Sequence, residues 1–499
     1  MIAPVRASRD AILRHGLPGF AGTGLLAIGA LGVGWLPLET NLLTNPLVDL
    51  LRGSAGGSLV ARGFVFLGLA ILLQAWLVLG ADLLEERRPS LRSLTWILAI
   101  WSAPLILAPP MFSRDVYSYY VQGRLLDSGS DPTTMGVGSI PGWFQDGADP
   151  MWAESPTPYG PAFLIIERAI ASFAHPNAYL AALLLRVASL AGVVLLVVFV
   201  PKLAAVHGVD PVRATWLAVL NPLVIMHFVS GAHNDSLMVG LIVAAFWLAA
   251  TCRCVWGAAL VGIAFAVKPI AIVALPFIGL LWAGSGASWP QRTRAWLLAA
   301  LVFALTTASL FLAVDSGYGV LSAAFGTPSG VLTWLSPTTA VGQVIGYLTT
   351  AIGVTADSAP AVFIVRAIGS AAALAVIAVL ILRPSGRSPV RGAALAIGAL
   401  VVLGPVIQPW YLLWALPLFA VSGLAHRGMQ VAVLITTAFT VHGMVESSTT
   451  SDNFLDITDG ITFIIAVAIV GLVALASPRE RRLLLSAPTS DMADGRMHA

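Results

Sequence analysis

Long apolar runs separated by short polar turns dominate the chain. About 20 apolar residues cover the hydrocarbon layer as a helix. Runs suited to crossing fall at about 19–38, 59–81, 93–111, 179–200, 213–229, 236–251, 294–314, 361–382, 391–406, 410–424, 428–446 and 458–477. Between Val255 and Ala283 one more run is interrupted at Val267-Lys268-Pro269. Proline removes a backbone donor and lysine is costly in lipid, so this run predicts two short helices meeting at a polar tip. The pattern predicts an all-α polytopic membrane protein with about 14 crossings. Residues 1–18 read as an N-terminal segment, 19–477 as one transmembrane domain, and 478–499 as a short polar tail. No internal repeat, heptad stretch or soluble domain is evident.

Composition agrees with that class: 58% of residues are hydrophobic, 10% are charged, and mean hydropathy is +0.88. A net charge of +3 carries no sign of nucleic-acid binding, because the basic residues sit at helix ends. Lys202 and Lys268 are the two lysines, and with abundant Ala, Gly and Val this suggests a GC-rich bacterial genome. Cys252 and Cys254 flank Arg253, a spacing that fits neither a metal motif nor a disulfide framework. Arg6, Arg9 and Arg14 precede the first run, and no convincing cleavage site follows it, so a retained first span is expected.

Arginine placement orients the layout, since basic residues accumulate in cytoplasmic loops. Arg6/Arg9/Arg14, Arg87/Arg88/Arg92, Lys202/Arg213, Arg253, Arg292/Arg294, Arg383/Arg387/Arg391, Arg427 and Arg479/Arg481/Arg482 fall on one side. Loops 112–178, 230–235, 315–337 and 447–457, with Lys268 and Gln408-Pro409-Trp410, then fall on the extracytoplasmic side. The segment 159–174 must lie in the first outer loop as an interfacial helix, or every later basic loop would invert.

The first outer loop is neither short nor bland. Residues 112–161 carry Asp115, Asp127, Asp131, Asp146, Asp149 and Glu154 against Arg114 and Arg124. Tyr117, Tyr119, Tyr120, Trp143, Trp152 and Tyr159 are interleaved with them. Carboxylates among aromatics suit sugar chemistry, with a base for a hydroxyl proton and flat faces for C–H surfaces. Asp115 opens an amphipathic pattern expected to lie at the membrane surface, with Ser113 as its cap. Arg114 beside it either contacts a phosphate or holds down the carboxyl's pKa.

Elsewhere, Lys268 at the polar tip needs an anion, which a phosphate would supply, the structural alternative being a carboxylate such as Asp235. His233, Asn234 and Asp235 form a tight turn with His227 upstream, suited to holding phosphate or sugar hydroxyls or to capping the next span, and poor in metal spacing. Trp410, Tyr411 and Trp414 mark another outer turn, where interface aromatics are common without function. His442 and Glu446 share one helical face.

Taken together, these pieces resemble a family. Ser113-Arg114-Asp115 with Tyr117, Ser118, Tyr119 and Gln122-Gly123 is followed by Asp131-Pro132 and Thr157-Pro158-Tyr159-Gly160-Pro161. Asn221-Pro222, His233-Asn234-Asp235, Val267-Lys268-Pro269 and Pro409-Trp410-Tyr411 come later. In this order they look like the actinobacterial polyprenol-phosphate-mannose-dependent α-1,6-mannosyltransferases that build the mannan backbone of lipomannan, over residues 20 to 477. Thr133 stands where the family has a tyrosine, which removes a stacking ring there.

The resemblance implies a GT-C glycosyltransferase fold whose large extracytoplasmic first loop, 112–178, supplies Asp115 as catalytic base. It implies inverting transfer from polyprenyl-phosphate mannose, with the donor phosphate held by Lys268, Arg114 and His233. The mannan acceptor is then expected along Tyr117, Trp143, Trp152, Tyr159, Asn234, Asp235, Trp410 and Tyr411. No tightly bound cofactor and no metal site are expected, and the partners are membrane lipids, the lipid-linked donor and the mannan or lipomannan acceptor. A monomer in the plasma membrane is expected, with no nucleic acid involved. The competing readings are a transporter or flippase of a lipid-linked sugar, and an arabinosyltransferase of the same superfamily.

Overall fold

A computed structural model describes residues 3–83, 88–314, 319–326, 331–384 and 386–446. Among the described residues the regular structure is helical, with one isolated bridge between Gly136 and Pro156. Five of the described helices are long and apolar enough to cross a membrane. They are the Arg9–Val33 part of Ala3–Val33, then Ala55–Asp82, Ala178–Val206, Trp289–Val314 and Ala359–Leu382. Large apolar side chains on their outer faces, such as Leu312 and Phe363, are exposed, as lipid contact requires.

Other expected spans are broken, and prolines account for most of the breaks. The run at 93–111 is helical over Leu91–Ser102, passes into the short turn Ala103–Leu105, and stops before Pro109-Pro110. The run at 213–229 divides at Asn221-Pro222: Pro211–Ala218 ends, and a π-helix, Val224–Ser230, begins. Asn221 manages the break, since its Oδ1 accepts from the Leu223 N–H at 2.9 Å while its Nδ2 donates to the Leu217 carbonyl at 3.2 Å. The π-helix then meets Asp235–Ala250 at a bend of 112°.

The split at Lys268 is as the sequence pattern predicts. Cys254–Val267 ends, Lys268 is extended, and Pro269–Ala274 leads into Leu275–Ala283. Gly192 lets Ala178–Val206 lie backbone-to-backbone on Asp235–Ala250, because a Cβ there would sit 2.2 Å from the Ser236 carbonyl carbon. Trp76 and Trp216 stack at 4.8 Å and donate to each other's carbonyls, joining Ala55–Asp82 to Pro211–Ala218.

The loop 112–178 is a packed body. Asp115–Asp127 is buried on nearly every side, so the expected surface helix with one wet face is corrected to an internal one. It packs on Pro161–Ala174, the helix expected at 159–174. Two helices were not expected: Gly319–Gly326 in loop 315–337, and Pro337–Ala351. The latter buries Thr338, Thr339 and Gln343, and Thr339 accepts from Arg366 at 2.8 Å. Those polar positions shorten its apolar run below a crossing length. The expected span 458–477, loop 447–457, the tail and the Glu446 side chain lie outside the described residues.

Candidate active site

The loop's carboxylates separate by what they touch. Asp127 accepts from Arg168 and Ser172 at 3.1 and 2.6 Å. Asp131 caps its own turn at the Thr133 N–H. Asp146 pairs with Arg124, and Asp149 caps the Met151 N–H at 2.9 Å. Glu154 is exposed. Each of these is engaged in the fold or turned to solvent.

Asp115 differs. Its N–H donates to the Ser113 hydroxyl at 3.0 Å, while the N-cap position itself is taken by Arg114 and not by Ser113 as expected. Its carboxyl is buried, with Oδ1 accepting from the Trp152 indole N–H at 3.0 Å. Oδ2 lies 3.6 Å from His233 Nδ1, too far for a hydrogen bond. No arginine or lysine pairs with it among the described residues. Burial pushes its carboxyl up to about 6, against the opposing pull of the Trp152 N–H. A carboxyl tuned there is ionised at neutral pH and still basic enough to take a proton.

Beside it, Lys268 Nζ donates to Asp235 Oδ1 at 2.7 Å. The Trp414 indole N–H donates to the same oxygen at 2.6 Å. The ammonium lies 5.6 Å from the ring centres of Tyr159 and Tyr411 and 5.2 Å from Trp414, an aromatic cage. The anion that Lys268 requires is therefore the Asp235 carboxylate, which places Asp235 in an ion pair. Two signals reach this far from sequence, the lone lysine and the Trp414 one turn after Trp410.

The surrounding motifs act as joints. The Gly160 N–H donates to the Val267 carbonyl at 3.2 Å, and a Cβ at Gly160 would sit 2.5 Å from the Ala266 carbonyl oxygen. Glycine is thus what lets the loop dock on the broken helix and bring Tyr159 to Lys268. The Thr157 hydroxyl donates to Gln122 Oε1 at 3.1 Å, and its N–H donates to the Pro132 carbonyl at 2.7 Å. His233 stacks on Trp410 at 3.9 Å, and His227 lies 5.3 Å from the same ring.

Many buried polar atoms here have no hydrogen-bond partner among the described residues. They include both ring nitrogens of His227 and His233, the Asn234 amide, Asp235 Oδ2 and Trp410 Nε1. Buried polar groups are ordinarily satisfied, so this concentration sets the cluster apart from the rest of the core. A narrow cleft of about 20 Å³, room for a water-sized group, opens between Asp115, Tyr119, Gln122, Trp152 and Tyr159.

Asp115, His233, Asn234, Asp235, Lys268, Tyr159, Trp152, Trp410 and Tyr411 thus come together. Three expected site residues do not join them. Arg114 donates to the Gly147 and Ala148 carbonyls, both at 3.0 Å, and lies against Trp35. Tyr117 is fully buried, its hydroxyl donating to the Trp35 carbonyl at 3.0 Å. Trp143 packs edge-on against Phe144 in the loop. Each is held by packing or by carbonyls away from the cluster. Among the described residues, no group of three or more His, Cys, Asp or Glu could hold a metal ion.

Residues 16–284 match the model described as alpha-(1->6)-mannopyranosyltransferase, N-terminal domain, and residues 338–477 match the MptB C-terminal domain. The chain belongs to the α-(1→6)-mannopyranosyltransferase family. It is 34% identical over 433 residues to α-(1→6)-mannopyranosyltransferase A of Mycobacterium tuberculosis, covering 84% of this chain and 82% of that one. It is 30% identical over 456 residues to α-(1→6)-mannopyranosyltransferase B of Corynebacterium glutamicum, covering 83% and 73%. No solved structure matches the chain. The site just described lies within the N-terminal family match, apart from Trp410, Tyr411 and Trp414, which the C-terminal match contributes.

Proposed function

We propose that this membrane mannosyltransferase moves mannose from polyprenyl-phosphate mannose to an α-1,6-mannan acceptor of lipomannan, at the extracytoplasmic face of the plasma membrane. The fold proposed is GT-C with about 14 crossings. The observation that carries the reading is Asp115: a buried carboxylate with no arginine or lysine paired to it among the described residues, facing a cleft lined by Tyr119, Gln122, Trp152 and Tyr159.

In this reading the acceptor's 6-hydroxyl attacks the anomeric carbon as Asp115 takes its proton. The bond from that carbon to the phosphate oxygen breaks, and its electron pair leaves with the lipid phosphate. One base therefore suffices, and a β-linked donor yields an α-linkage by inversion. Lys268 donates one N–H to Asp235 and has two more for the phosphate.

The test is transfer of radiolabelled mannose from polyprenyl-phosphate mannose to a short α-1,6 acceptor, with linkage analysis of the product. Asp115→Asn is expected to lower turnover by about 10²–10⁴ while membrane accumulation is kept. Near-native turnover in that variant removes Asp115 from the chemistry. Flux of lipid-linked sugar without covalent product would point to a flippase.

A further inference from the structure

We infer that Trp152 is a positioning residue for the base: its indole N–H holds Asp115 Oδ1 and leaves Oδ2 as the atom that takes the acceptor's proton. The inference rests on Asp115 acting as base, the reading proposed above. Nothing in the spacing of residues 37 apart in sequence announces this contact; the fold makes it at 3.0 Å.

The turn that carries Trp152 is fastened to the helix that carries Asp115. Ser118, three residues after Asp115, accepts from the Asp149 N–H at 3.3 Å. Arg114, the residue before Asp115, holds the carbonyls of Gly147 and Ala148. Asp149 then caps the turn Pro150–Trp152 through the Met151 N–H, and its carbonyl accepts from the Trp152 N–H at 3.0 Å. On the far side the Gly138 N–H donates to the Ala153 carbonyl at 2.8 Å. Residues flanking the base thus set the position of the indole that orients it, which also accounts for Arg114.

The two carboxylate oxygens are then unequal. Oδ1 is engaged, whereas Oδ2 has His233 at 3.6 Å and no hydrogen bond. In the transfer, the hydroxyl proton moves to Oδ2, the hydroxyl oxygen bonds to the anomeric carbon, and the carbon–phosphate oxygen bond breaks with its pair on phosphate. An N–H on Oδ1 favours the ionised carboxylate, so it raises the fraction of enzyme ready to accept that proton.

The experiment compares pH profiles of kcat/KM for the full chain in membranes, with Trp152→Phe, Trp152→His and Asp115→Asn alongside. The wild-type acid limb is expected near 6. Trp152→Phe keeps a ring and loses the N–H, so the limb is expected to rise by about one unit, with rates near pH 6 falling about fivefold and rates above pH 8 nearly kept. Trp152→His, which can donate from a ring N–H, is expected to fall between the two. An unchanged limb with a raised acceptor KM would make Trp152 a sugar platform and overturn the inference. Failure of both Trp152 variants to accumulate would make it a fold residue and would overturn the inference equally. Asp115→Asn separates the cases: should it retain turnover, the base reading itself fails.

Discussion

Asp115 and Asp235 are two buried carboxylates in one cluster with different company. Asp235 Oδ1 takes a cation and an indole N–H, and Asp115 takes an indole N–H alone. Removing one member of a buried ion pair strands the other, at a cost of about 3–5 kcal/mol. Lys268→Ala is therefore expected to lower thermal stability in detergent by about that amount, and Lys268→Met with Asp235→Asn to recover most of it. Transfer should return in neither if Lys268 also binds the donor phosphate. Recovery of transfer in the double variant would confine Lys268 to a structural role. Sequence alone reached the need of Lys268 for an anion, because lysine beside proline in an apolar run is expensive wherever it sits. Sequence leaves that anion open between a lipid phosphate and a carboxylate such as Asp235, 33 positions away on another helix, and the fold makes the pair with Asp235. Tyr117 and Arg114 show the same limit in reverse. Their residue types suit sugar and phosphate equally well, yet their hydrogen bonds go to the carbonyls of Trp35, Gly147 and Ala148.

At the scale of elements, the motifs that stood out are places where backbone must break or approach closely. Asn221-Pro222 ends one helix and starts the π-turn that delivers His227, and Val267-Lys268-Pro269 splits another. Thr157–Pro161 fits the loop onto that split. Such joints are legible because proline, glycine and asparagine act through backbone geometry, which is local. The internal packing of Asp115–Asp127 was not legible, since burial on every side depends on distant helices. Gly160 gives a direct test. A side chain there meets backbone and not a flexible end, with Ala266 oxygen and carbon at 2.5 and 2.7 Å from a Cβ. Gly160→Val is expected to lift the loop off the half-helix, separate Tyr159 from Lys268, and reduce transfer by at least about tenfold, with Asp115 chemically intact. Retained transfer in Gly160→Val would mean that the loop's docking does not set the site.

For the whole molecule, the deciding question is which side of the membrane the cluster faces. Among the described residues, five long apolar helices place the chain in a membrane without orienting it, and the proposed orientation rests on the arginine distribution. The 112–178 loop is joined to the rest of the site through the Gly160–Val267 hydrogen bond and through Asp115, whose Oδ2 lies 3.6 Å from His233 Nδ1. Loop and broken helix must therefore share a face, and labelling one reports on both. Ser139 in the loop and Ser90 before Leu91–Ser102 are both exposed, so cysteines introduced there are reachable by a soluble reagent. Cys252 is exposed and falls beside Arg253, on the side assigned to the cytoplasm, so it is an internal control. An impermeant maleimide on intact cells is expected to label Ser139→Cys in a Cys252→Ser background, and to label neither Ser90→Cys nor the native Cys252. After permeabilisation all three should react. The opposite pattern would put the cluster in the cytoplasm, where soluble nucleotide sugars reach it, and the lipid-linked donor would lose its rationale along with the outer-face assignment.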